Sequence, residues 1–195
     1  MKRSVLCLTL LAVPMFGQAA VTVFTAPLSG AAESPANLSP GTGFAKVTID
    51  SSLFTMRVEA NFSGLLGTVT ASHIHASATM VPGTGTAGVA TMTPTFTGFP
   101  SGVTAGAYDV TFDMTLPTSY NASYITNNGG TPGAAFTALQ AQMANAQSYL
   151  NIHTTAFAGG EIRGVLVPEP GTTGLAALAG AGLLIRRRRP RALNR

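Results

Sequence analysis

Tyr108-Asp109-Val110-Thr111-Phe112-Asp113-Met114-Thr115 alternates without a break between large apolar and polar residues. Successive side chains of a strand point to opposite faces. The stretch therefore predicts a β-strand with Tyr108, Val110, Phe112 and Met114 on a core and Asp109, Thr111, Asp113 and Thr115 in water. One dry face and one wet face is the pattern of an antiparallel sheet. Upstream, Phe44, Val47 and Ile49 predict a second strand, and Leu53, Met56, Val58, Ala60 and Phe62 a third. Asp50-Ser51-Ser52 between these two has turn chemistry, which predicts that they pair as a hairpin. Downstream, Ile152-His153-Thr154 and Ile162-Arg163-Gly164-Val165-Leu166 flank Gly159-Gly160, whose freedom at positive φ predicts another hairpin connection.

One segment leaves the period of two. After Thr131-Pro132-Gly133, the residues Phe136, Leu139, Met143 and Ala146 recur at helical spacing, with Thr131 placed to cap and Pro132 at the first helical position. The spacing predicts a helix over 132–147, led in by the glycine-rich Asn127-Asn128-Gly129-Gly130. Its polar residues Gln140, Gln142, Asn145 and Gln147 carry no charge, so we expect a crossover lid on one edge of a sandwich rather than a charged partner-binding helix. The fold class expected is all-β: an antiparallel sandwich with one crossover helix.

Both ends of the chain read as sorting signals. Lys2 and Arg3 precede an apolar run, and Gly17-Gln18-Ala19-Ala20 offers small residues to signal peptidase, so residues 1–20 are expected to be a secretory leader. Cys7 lies inside it, in a context without a lipobox, and the remainder of the chain has no cysteine and hence no disulfide. At the other end stand Pro168-Glu169-Pro170, an uncharged apolar run over 172–185, and Arg186-Arg187-Arg188-Arg189. Fourteen helical residues cover ~21 Å of a ~30 Å hydrocarbon core, which is short for a permanent anchor. The arginines hold the segment with its N-terminal side outward. The prolines prevent the helix from extending backward, which leaves Glu169 in an extended stretch open to a processing enzyme. This order over 168–195 resembles the PEP-CTERM sorting signal of Gram-negative bacteria. The resemblance implies export, transient anchoring in the membrane, cleavage by an exosortase-type enzyme, and residence at the cell surface or in an extracellular matrix of exopolysaccharide.

Between the signals lies one domain, residues 21–167, with few charges and abundant Thr, Ser, Gly and Ala, as expected of an extracellular β protein with a hydroxyl-rich surface. Lys46, Arg57 and Arg163 face Glu33, Asp50, Glu59, Asp109, Asp113 and Glu161, a net charge of −3. The basic pI of the whole chain therefore belongs to the sorting signals, and the basic face of a nucleic-acid binder is absent from the sequence pattern.

Candidate chemistry is confined to a few positions. His73 and His75, two apart on a predicted strand, project to one face, and His153 is the only other histidine. Three imidazoles can hold zinc or copper with a water or carboxylate as fourth ligand. The alternative is that the rings hydrogen-bond loop backbone. Glu161 and Arg163, also two apart, are expected on a common face, either as structural charges or as a ligand clamp.

Tyr149-Leu150-Asn151-Ile152-His153-Thr154, followed by Ala158-Gly159-Gly160-Glu161-Ile162-Arg163-Gly164, resembles the closing signature of the CHRD domain, a module named for chordin and also found alone in exported bacterial proteins. Ala71-Ser72-His73-Ile74-His75-Ala76 is similar to the family's His-x-His strand, and Gly106-Ala107-Tyr108-Asp109-Val110 to its central strand. Ala158 stands where the family often has proline. The resemblance implies an immunoglobulin-like or superoxide-dismutase-like sandwich and no settled activity. Two function classes follow: a non-enzymatic surface or matrix module, or a copper–zinc redox protein similar to superoxide dismutase. Against the second, the enzyme it would resemble needs six histidines and an aspartate, and this chain has three histidines.

Overall fold

Burial follows the sequence alternation strand by strand. The computed structural model describes residues 21–169, and within them eight strands: β1 (Val21–Ser29), β2 (Thr42–Asp50), β3 (Thr55–Ser63), β4 (Val69–Ala76), β5 (Gly106–Asp113), β6 (Ser148–Thr154), β7 (Ile162–Val165) and β8 (Val167–Pro168). Neighbours pair antiparallel in the order β4-β6-β7-β1-β2-β3-β5, and β8 follows β7 along the same edge of β1. The antiparallel β character expected from the sequence is present, in a mostly β arrangement with two short helices rather than one. The two facing sheets of a sandwich are not: the strands lie on one hydrogen-bonded path, curled into a half-barrel.

The register explains the curl's inner face. Ala45, Ala60 and Tyr108 stand opposite one another, then Val47, Val58 and Val110, then Ile49, Met56 and Phe112. Phe24 and Leu28 from β1, Ile74 from β4, Leu150 and Ile152 from β6 and Ile162 from β7 complete a single apolar core. Two expected core positions belong elsewhere. Phe44 is three residues from Val47, an odd number, so it falls on the outer face and Ala45 turns inward; Phe44 is 43 % exposed. Leu53 lies in the β2–β3 turn, 69 % exposed, because residues 51–54 are consumed by a connection that takes Phe54 to φ 52°. The Asp50 carboxylate accepts from Ser52 and Leu53 N–H at the start of this turn.

β4 and β5 are the two ends of the path, and residues 77–105 between them bridge the gap. Ala90 N–H donates to Ile74 O, Phe96 N–H to Ser72 O and Gly102 N–H to Val69 O, which satisfies the free edge of β4. On the other side Tyr108 Oη donates to Thr97 O at 2.9 Å, and Phe96 stacks on Phe112 with centroids 5.4 Å apart.

The predicted helix is present as α2 (Pro132–Ala144), with the Thr131 side chain accepting from Ala134 N–H and Ala135, Phe136, Leu139 and Met143 buried. It ends before 147 because Ala146 takes φ 54° and Gln147 N–H turns back to Gln142 O at 2.8 Å. A shorter α1 (Ala122–Asn127), capped by Asn121, precedes it; six residues are too few to show helical periodicity in the sequence. α2 packs against β4, β6 and β8, and Phe136 touches Phe54 at 5.4 Å, so the helices close the end of the half-barrel that carries the β2–β3 turn.

The predicted leader over 1–20, Pro170, the apolar run over 172–185 and the arginine cluster lie outside the described residues. Pro168 ends β8 opposite Phe24, and Glu169 is exposed with its N–H donating to Val23 O at 2.9 Å.

Candidate metal centre

The three histidines come together because β4 and β6 are hydrogen-bonded neighbours. His73 stands opposite Asn151 and Ala71 opposite His153, so His153 is one step diagonal from His73. The rings of His73 and His75 are 4.7 Å apart, those of His73 and His153 4.7 Å, and those of His75 and His153 6.0 Å. All three point away from the core face that Ile74 and Ile152 occupy, yet they are largely covered, because residues 77–105 and the β6–β7 connection fold over this part of the outer face.

Each ring spends one nitrogen on a backbone carbonyl. His73 Nδ1 faces Pro94 O at 3.2 Å, His75 Nδ1 faces Ala87 O at 2.8 Å, and His153 Nδ1 faces Ala158 O at 2.9 Å. A carbonyl has no hydrogen to give, so each Nδ1 carries the ring's proton and each Nε2 of a neutral ring is a bare lone pair. Two of those lone pairs, His73 Nε2 and His153 Nε2, are 3.0 Å apart, and His75 Nε2 is buried without a hydrogen-bond partner. Lone pairs at that distance repel unless a cation lies between them or one ring moves its proton to Nε2 and gives up its carbonyl hydrogen bond.

A proton is a poor candidate for that cation. Burial pushes His73 down to about 4, with the neighbouring His75 and His153 rings acting the same way. Burial also brings His75 down to about 4 against the upward pull of the Ala87 carbonyl, and His153 is lowered by burial too. A divalent metal fits better. One ring nitrogen from each residue lies within 4.8 Å of the others, and Zn–N bonds of ~2.0–2.1 Å at a tetrahedral centre set such nitrogens ~3.3 Å apart. Fixing Nδ1–H on a backbone carbonyl is also how metal-ligating histidines are commonly oriented.

Neighbours hold the rings from behind. Tyr149, opposite His75, stacks on it at 4.6 Å with planes 7° apart, and the Arg163 guanidinium lies 4.5 Å from the Tyr149 centroid. The sequence places Tyr149 and Asn151 in the closing signature without a site role, although Tyr149, Asn151 and His153 share one face of β6 by the same period of two that groups His73 with His75.

Glu161 and Arg163 do not act as a pair. Glu161 precedes the first residue of β7, and its carboxylate turns to the end of the half-barrel. There it accepts from Ser39 Oγ and Thr154 Oγ1, both at 2.6 Å, and from the N–H groups of Leu66 and Gly67. Burial works to raise this carboxyl, and those four donors overcome it and hold it below the ordinary range. Arg163 instead donates Nε–H to Ala32 O at 2.5 Å and lies 3.9 Å from Glu33. Burial pushes Glu33 up to about 7, against the pull of Arg163 and of Ser34 N–H. Gly160, at φ 129°, lies against both Asn151 and Glu33; a Cβ there would come within 2.6 Å of each.

A family model described as CHRD domain matches residues 24–166, and one described as PEP-CTERM protein-sorting motif matches residues 166–189. No match was found among curated proteins or solved structures. The two matches meet at Leu166, directly before β8 and three residues before the exposed Glu169, where the described residues end.

Proposed function

The chain belongs to the CHRD domain family and carries a PEP-CTERM sorting motif, which implies an exosortase-processed surface protein, and from that premise we propose that it is a non-enzymatic extracellular module held together by a zinc or copper ion at His73, His75 and His153. The observation that carries the reading is the 3.0 Å approach of His73 Nε2 and His153 Nε2, with a ring nitrogen of His75 within 4.8 Å and all three Nδ1 atoms already committed to carbonyls. A bound ion would supply the positive charge those lone pairs face. The residues themselves do the structural work: His73 and His75 hold Pro94 and Ala87 of the segment that bridges β4 to β5, and His153 holds the β6–β7 connection. The site is thus a clamp on two connections, the β4–β5 segment at two points and the β6–β7 loop at one. A single three-histidine centre supports this reading over a two-metal dismutase, since no other group of three or more His, Cys, Asp or Glu side chains is placed to share a metal ion among the described residues.

Metal analysis and thermal melting of the chelated and reloaded protein test the clamp. A zinc or copper ion in ~1:1 ratio is expected, with about 2.7 kcal/mol of added stability at 100 times the dissociation constant. His73→Ala, His75→Ala and His153→Ala should each remove the metal-dependent shift while the apoprotein still melts cooperatively. A wild-type melt indifferent to both metals defeats the reading. Sorting is tested separately by intact mass of the surface-exposed protein: cleavage near Pro168-Glu169-Pro170 removes the arginine cluster, and retention of Arg195 on most molecules would overturn it.

A further inference from the structure

A cleft of about 380 Å³ opens at the helical end of the half-barrel, between the chain that follows β4 and the two helices. Its polar lining includes Ser77, Thr79, Asn127, Asn128, Tyr124 and Gln142, and no charged side chain takes part. Gln142 is the informative residue. The other buried side chains of α2 are Ala135, Phe136, Leu139 and Met143, all apolar, and Gln142 is only 4 % exposed beside them. An amide at such a position is costly unless it is hydrogen-bonded, and a leucine there would serve packing better.

The amide is held in a fixed orientation. Tyr124 Oη donates to Gln142 Oε1 at 2.7 Å, Gln142 Nε2 donates to Asn128 Oδ1 at 3.3 Å, and Asn128 Nδ2 donates to Tyr124 O at 2.8 Å. This chain joins α1 to α2 and leaves the remaining donor and acceptor capacity of two carboxamides on the wall of the cleft. Amides and hydroxyls both give and accept hydrogen bonds, which matches the hydroxyl groups of a sugar. An anionic ligand would find no cation in the lining, and a cationic ligand no carboxylate. The volume falls within the ~300–1,000 Å³ of ordinary small-ligand sites.

We propose that this cleft binds a neutral saccharide unit through Gln142, Asn128 and Asn127. The cleft contains none of the histidines, although its wall at Gly88 and Val89 adjoins the Ala87 carbonyl that His75 meets, and the proposal does not rest on the metal reading. Binding to the full chain is measured by calorimetry with maltose, cellobiose and chitobiose, beside glucuronate and glucose 6-phosphate as charged counterparts, each with and without chelator. Saturable binding of at least one neutral disaccharide is expected below about 10 mM, with the charged sugars at least about tenfold weaker. Gln142→Leu keeps the apolar volume of the helix face and should weaken binding at least about tenfold. Asn127→Ala alters an exposed position that cannot unfold the core, and it should weaken binding as well. Absence of saturation with all three neutral sugars overturns the proposal, as does equal binding of the charged ones or wild-type affinity in both variants. Because the measurement is repeated in chelator, loss of the metal clamp and failure of the cleft are read independently.

Discussion

The outer face of one curled sheet carries two kinds of polar surface. Over β2, β3 and β5 it is an open ladder: Lys46, Glu59 and Asp109 stand opposite one another across the strands, Lys46 pairs with Glu59 at 2.8 Å, and Arg57 with Asp109 at 2.6 Å. Over β4, β6 and β7 the same outward positions hold His73, His75, Tyr149, Asn151, His153 and Arg163, under a roof of loops. Water solvates the first set whether or not its partners are in place, so each pair contributes little. The second set has lost its water, so every donor and acceptor must find a partner inside the protein or stand as a penalty. The difference is one of cover, because both sets rest on the same period of two.

Deleting a buried anion should show the largest contrast. Glu161→Ala removes the acceptor for Ser39, Thr154, Leu66 and Gly67 at once, and is expected to cost roughly 3–5 kcal/mol in a denaturant melt. A loss close to that of an exposed carboxylate would erase the distinction between covered and open regions.

Acid–base linkage sharpens the contrast. Glu33 rises from 4.5 to about 7 on folding, so its favourable contribution is complete below pH 4.5 and is lost as pH climbs through about 7. Between those values the folded state holds a proton that the unfolded chain has released. Glu33→Gln, which keeps the shape without the charge, should therefore stabilise the protein at pH 8 by about 2 kcal/mol, once screening by water in the adjoining cleft is allowed for, and leave it unchanged at pH 4. Equal effects at both pH values would show that Glu33 is ionised throughout. His73 and His75 run the other way: both stay neutral on folding down to about 4, so their contribution is present above 6.5 and lost as pH falls toward 4.

The open ladder should answer least. Arg57→Ala and Asp109→Ala, alone and together, are expected to move Tm by no more than ~2 °C, and the coupling between them should fade in 1 M salt. A large, salt-insensitive coupling would place this ladder in an interface that covers it.

Much of this was legible in the chain. The strand containing Tyr108, Val110 and Phe112 declared both its existence and its inward face, and Thr131-Pro132 marked the start of α2. Phe44 and Leu53 were misplaced for a local reason: hydrophobicity reports what a residue would gain by burial, whereas parity and turn length decide which face it reaches. The grouping of His73 with His75 followed from spacing alone. The arrival of His153 required the pairing of β4 with β6, strands separated by about half of the domain, and no local pattern states that pairing.

The sequence by itself determined the antiparallel β class, the C-terminal sorting signal that the family match bears out, and the residue types from which a metal centre can be built. Those are properties of period, composition and order along the chain. The tertiary structure alone decided that the strands form one curled sheet, which partners Glu161 and Arg163 each take, and that three Nδ1 atoms meet carbonyls while His73 Nε2 and His153 Nε2 are turned on one another. The reason is that hydrogen-bond partners distant in sequence are chosen by which backbone groups remain unsatisfied after the strands have paired, and that residue is fixed only when the whole chain has closed.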